Sequence, residues 1–175
     1  MQKKQQATKQ TEKAIKVAPQ IPTTLDMSSM EIEMTYGEVV AAYSALGFMG
    51  SRLGVDSFVF NIKLRSMRRA LQPAVDDLED MTQKLMLRLA AKGVDGEPLR
   101  DEKGGMSIKQ PEFDIERREY LKQTVKIWTP VWRPCELEWM QGIHPEGVPV
   151  GFVFEVLESL GGLFTEDDEC GPQDD

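Results

Sequence analysis

Asp76, Asp77 and Asp80 lie within about one helical turn of one another. They are the first group in the chain whose spacing chemistry can use. At i and i+4, Asp76 and Asp80 share a helix face, and such a pair can hold a divalent cation or share a proton. A di-metal carboxylate centre also needs a nearby imidazole. The chain has one histidine, His144, far off in sequence, so the acids read as a solvated face. His144 precedes a proline in a turn-like run, nine residues after Cys135. A general base needs a positioned partner, and that spacing matches no nucleophile arrangement. Cys170 sits among acids that disfavour its thiolate, so it reads as an inert surface thiol. Two cysteines are too few for a disulfide framework or a zinc site. Gly93, Gly96, Gly104 and Gly105 form neither GxGxxG nor a phosphate loop ending in Lys-Ser/Thr. We therefore expect no catalytic, metal-binding or cofactor-binding residue, no cofactor and no enzyme.

Side chains able to bind remain. Arg65 and Arg69 are at i and i+4, with Arg68 beside them and Lys63 one turn earlier. This group can meet an acidic partner, or it can pair with local acids. Trp128 and Trp132 fall on one face of a segment whose other face is Val125, Ile127 and Val131. An exposed aromatic face of that kind marks an interface. Lys3, Lys4, Lys9, Lys13 and Lys16 stand against a single acid, Glu12, in the first sixteen residues. That segment is a candidate arm for an acidic neighbour.

These candidates need a scaffold, and the composition provides one. Apolar residues make up 41% of 175, enough for a single core. The formal net charge is −8, so direct nucleic-acid binding is not expected. No apolar run reaches the ~18 residues of a membrane span, and the N-terminus has no signal-peptide core. Residues 1–31 read as a basic arm, disordered or ordered on a partner. Residues 32–164 read as one helical domain, and 165–175 as an acidic tail. Thr35 and Glu38 make a capping box for a helix that Gly47 can end. A dominant helix is expected from Ser57 to Lys92. Leu64, Leu71, Leu78 and Leu85 repeat every seven residues, interleaved with Phe60, Met67, Ala74 and Met81. Its opposite face carries Lys63, Arg65, Arg69, Asp76, Asp77, Asp80 and Lys84. Pro73 predicts a kink or a break, and Gly93 a C-cap. A loose hairpin or mobile loop follows, then a helix over 111–123 with Phe113, Arg117, Tyr120 and Leu121 inward. A strand at Val125–Val131, a short helix over 135–141 and a last helix from Pro149 to Leu160 complete the order. The expected fold is mostly α with a small β element (α+β), a long kinked helix packed by shorter helices and one short strand or hairpin.

That order carries a resemblance. It rests on Tyr36-Gly37-Glu38, Asp95-Gly96, Asp101-Glu102-Lys103-Gly104, Glu119-Tyr120-Leu121, Val125-Lys126-Ile127 and the unit Leu137…Pro149…Leu157-Glu158-Ser159-Leu160. Over Tyr36 to Phe164 the chain resembles a family of small phage-encoded proteins of unassigned function from the late genes of tailed phages. The resemblance implies a viral accessory protein, acting in particle assembly or on a host factor, and brings no catalytic residues. With the opposed tails it gives the expectation of a non-enzymatic virion structural or assembly protein whose arm contacts neighbouring subunits. Its partners would be virion proteins or copies of itself, and its place the virion or host cytoplasm. The alternative is an intracellular inhibitor or adaptor that masks a host enzyme.

Overall fold

Thr35 and Glu38 set where the first helix begins. The Thr35 hydroxyl oxygen accepts from the Glu38 amide at 3.2 Å, and the Glu38 carboxylate accepts from the Thr35 amide at 2.7 Å. Two N–H groups at the helix start are thereby satisfied reciprocally. The computed structural model describes residues 25–52, 57–142 and 152–165. In chain order the elements are strand β1 (Ser29–Thr35), helix α1 (Tyr36–Arg52), helix α2 (Phe58–Leu89), helix α3 (Gln110–Lys122), strand β2 (Thr124–Pro130), a short helix α4 (Pro134–Leu137) and helix α5 (Phe152–Ser159). Single 3₁₀ turns follow α4 at Glu138–Gly142 and α5 at Gly161–Leu163. The architecture is mostly α with one two-stranded antiparallel sheet, as the residue pattern predicts.

The heptad seam of α2 is the spine of the core. Leu64, Leu71, Leu78 and Leu85 are all buried, as are Phe60, Met67 and Ala74. Val39, Ala42, Leu46 and Met49 of α1 pack on the first half of the seam. Ile127 of β2, Leu137 and Met140, Val153 and Val156 of α5, and Leu160 just after it close the cluster. Ser57 caps α2, its side chain accepting from the Phe60 amide. The sheet joins segments about ninety residues apart, with Ile32 opposite Ile127 and Glu31 opposite Trp128. One face packs on the core, and the other presents Glu31, Glu33, Lys126 and Trp128.

Several expectations are corrected. Pro73 does not break α2, which runs unbroken for 32 residues, about 48 Å. Pro73 lies on the exposed side of the helix, away from the buried seam. α2 ends at Leu89 rather than Lys92, because Ala90 turns extended and bridges to Ile108. Gly47 does not end α1, which continues to Arg52. Arg117 is exposed, and Phe113, Tyr120 and Leu121 alone face inward on α3, each half-buried. β1 begins at Ser29, ahead of the expected domain start at Ile32, and Leu25 already packs on the core. Between α2 and α3 the hairpin expectation holds: bridges pair Lys92 with Pro98 and Arg100 with Met106. Gly96 and Gly104 supply the positive φ values, 83° and 82°, that its two turns require. Pro149 and His144 lie outside the described residues.

Leu78 is 5% exposed in the middle of the seam. Leu78→Ala is expected to lower stability by about 2–5 kcal/mol in chemical denaturation, since the deletion leaves a cavity between packed helices. A change within measurement error would mean that the seam is not core.

Candidate interaction surfaces and the buried ion pair

The group with the greatest electrostatic cost was assigned by sequence to the wrong face. Lys63 is fully buried, and its Nζ donates to Glu136 Oε2 at 2.7 Å. Phe60, Lys63, Leu64 and Met67 are spaced i, i+3, i+4, i+7, so Lys63 falls within the apolar stripe. Its charge there needs an answer, and α4 brings one. Glu136 has little of its surface exposed, and two backbone amides also bond to it. Oε1 accepts from the Asp26 amide at 2.8 Å and Oε2 from the Arg133 amide at 2.9 Å. Arg133 in turn pairs with Asp26 at 2.6 Å. Three separate stretches of chain, the lead-in to β1, α2 and α4, thus meet on one carboxylate.

Aromatic rings enclose this pair. The Lys63 ammonium lies 4.6 Å from the Trp132 ring centre, near enough for a cation–π contact. Phe60 sits 5.6 Å from Trp132 and 5.3 Å from Trp139, edge-on to the latter. The Trp139 indole N–H donates to the Glu136 carbonyl at 2.7 Å. Burial pulls the Lys63 ammonium below the ordinary lysine range, and the Glu136 bond opposes that shift. Asp26 is held below the usual carboxylate range, first by the Ser28 amide that it caps and also by the charges of Arg133 and Lys63. The ion pair is enclosed, and only the Trp132 indole N–H among these groups is buried without an acceptor from a described residue; the chemistry of the cluster is structural. Cys135, beside Glu136, is disulfide-bonded.

The expected aromatic face is divided. Trp128 is 68% exposed, whereas Trp132 is fully buried. The alternation ends at Pro130, where the strand stops, and Trp132 instead bridges in parallel to Phe164. Trp132 is therefore not an interaction residue of this surface. Beside Trp128, Lys126 pairs with Glu31 across the strands at 2.8 Å.

Arg65, Arg68 and Arg69 form no ion pair with any described residue. Arg65 and Arg69 are exposed, and Arg68 is half-buried. Arg65 and Arg68 line a cleft of about 230 Å³ between α1 and α2, with Leu46, Gly47, Gly50, Ser51, Asn61 and Leu64. Arg69 is not part of it. Asp76, Asp77 and Asp80 are exposed, and no group of three metal-ligating side chains exists among the described residues. No described helix is long and apolar enough to cross a membrane. Lys3, Lys4, Lys9, Lys13, Lys16 and Cys170 lie outside the described residues.

Fold and surfaces define a mostly helical α+β chain with a buried ionic clamp, an exposed tryptophan on the sheet and an arginine-lined cleft on the helices. No protein-family model matches it, and no curated protein or solved structure does either.

Lys63→Met is expected to cost about 3–5 kcal/mol, because it leaves the Glu136 charge buried and unanswered. Adding Glu136→Gln should restore part of that loss, since the amide oxygen still accepts a backbone N–H. Equal stability of the single and double variants would contradict a charge-based cost. Asp26 is depressed in the folded state, so its stabilisation is present above the unfolded carboxylate value and is lost as pH falls through the lower folded value. Asp26→Asn should flatten the fall in stability measured across that acid window, and an unchanged slope would remove Asp26 from the acid response.

Proposed function

We propose that this chain is a protein-interaction component, a phage virion structural or assembly protein whose Lys-rich N-terminal arm contacts neighbouring subunits. Trp128 carries the reading. It is 68% exposed on the outer face of the sheet, while Trp132 and Trp139 are 0% and 9% exposed. A large aromatic side chain left in water among charged neighbours has the make-up of an interface anchor with a polar rim. Arg65, Arg68 and Arg69, with no ion pair among the described residues, offer a second contact surface, suited to an acidic neighbour. The virion assignment rests on the resemblance to phage late-gene proteins, and the arm on its five lysines against one acid.

A second reading has one observation in its favour. Asp76, Asp77, Glu79 and Asp80 form an exposed acidic ridge along α2. Such a ridge would suit an inhibitor or adaptor that covers a basic site on a host enzyme.

Mass spectrometry of purified particles separates the two: the assembly protein is found in them, the inhibitor is not. Trp128→Ala is expected to leave stability within about 0.5 kcal/mol while lowering incorporation into particles. Deleting Met1–Val17 should likewise spare unfolding of the isolated chain and weaken incorporation. Added salt should weaken the intact protein similarly, because exposed charge pairs are screened beyond ~8–10 Å. If both variants incorporate as the parent does at every salt concentration, the assembly reading is withdrawn.

A further inference from the structure

The cleft between α1 and α2 holds a guanidinium set in place with no acid partner among the described residues. The Arg68 side chain lies over the Tyr43 ring, Cζ 4.4 Å from its centre. Gly47 is also close: a Cβ there would stand 3.6 Å from Arg68 Cζ. The guanidinium thus packs on an aromatic ring and near bare helix backbone. Tyr43 is itself steadied by its hydroxyl, which donates to Gln72, and Gln72 donates to Asp76 at 2.7 Å. The Arg68 Nε–H is buried with no acceptor among the described residues. That donor is closed to solvent, so a ligand would meet the terminal N–H groups of the guanidinium, where Arg68 lines the cleft. Arg65, one turn earlier, adds a second guanidinium with no ion pair among the described residues, and Leu46 and Leu64 supply an apolar wall.

We propose that this cleft is a binding site for an acidic peptide segment of a partner protein. A side-chain carboxylate would accept from Arg68 and Arg65, with an adjacent apolar side chain against Leu46 and Leu64. Guanidinium matches carboxylate geometry in a fork of two N–H···O bonds. At about 230 Å³, the cleft is smaller than the ~300–1,000 Å³ of small-molecule pockets, and it suits one or two residues. Nucleic acid would offer the same charge, but an extended polyanion leaving Arg68 would meet the acidic ridge at Asp76–Asp80, about 12–18 Å along the same helix. A short peptide need not. The site is independent of the Trp128 face and of whether the chain resides in a particle.

The probe is a fluorescein-labelled peptide with the sequence of residues 163–169, Leu-Phe-Thr-Glu-Asp-Asp-Glu, followed by anisotropy against the full chain. Its control has Gln and Asn in place of the acids. The acidic peptide should bind and the control should not. Arg68→Gln should weaken binding by about tenfold or more, as expected for losing a charge-assisted contact. Arg65→Gln, at an exposed position, guards against a folding defect and should weaken binding severalfold. Arg69→Gln, outside the cleft, should leave it unchanged. Binding that is absent, that survives both cleft variants, or that a ten-nucleotide single strand or inorganic phosphate outcompetes at equal concentration overturns the assignment.

Discussion

A buried ammonium must be answered by a carboxylate, and in this chain Lys63 is answered by Glu136. The rest of the structure is arranged around that requirement. α2 carries the lysine within its apolar stripe, so the stripe cannot close until α4 docks. α4 is only four residues long, too short to hold itself by helix formation. It is held by the packing of Leu137 on the core and by Glu136, which also takes the amides of Asp26 and Arg133. Against an apolar pair of the same volume such a bridge contributes little net free energy. Its effect is on register: docking α4 a turn out of place would leave both charges buried and unpaired, at about 3–5 kcal/mol. The clamp also fixes the residues just before β1, and so the strand that backs Trp128.

Much of the fold was legible because it follows from periodicity. The heptads of α2, the Thr35–Glu38 box and the alternation of Val125–Pro130 each obey one local rule, and each appears where that rule places it. The misreadings share a different cause. Lys63 was assigned to solvent by its charge, although its spacing from Phe60 and Met67 puts it on the core face. The signal that could have found it was a lone lysine within an apolar stripe, with an acid beside two tryptophans in Trp132–Trp139. β1 was missed because its partner lies about ninety residues away, and the lysine-rich run before it masked the alternation of Met30, Ile32 and Met34 with Glu31 and Glu33. Trp132 was placed outside because alternation was carried through Pro130, which ends the strand. The arginine group was legible as a cluster. That Arg68 packs on Tyr43 beside a cleft depends on how two helices cross, which no local pattern encodes.

The polar face of α2 is divided by charge. Arg65–Arg69 precede Pro73, and Asp76–Asp80 follow it. Arg68 and Asp77 are nine residues apart, about 14 Å along the axis, beyond the ~8 Å screening length at physiological salt. The two groups therefore neither neutralise each other nor compete for one ligand. One helix buries a continuous seam on its inner side and offers two surfaces of opposite sign on its outer side. With Trp128 exposed on the sheet, the basic group, the acidic group and the tryptophan are held on one core.

Native-state hydrogen exchange tests the clamp most directly. The Asp26 and Arg133 amides donate to Glu136, and both lie in segments that local structure alone would not protect. If the Lys63–Glu136 pair ties these segments to the core, both amides exchange only with global unfolding, at the same free energy as amides of the α2 seam. Both then lose protection together in Lys63→Met. Exchange of either amide at the rate of the exposed 93–105 hairpin, with the seam still protected, would contradict it.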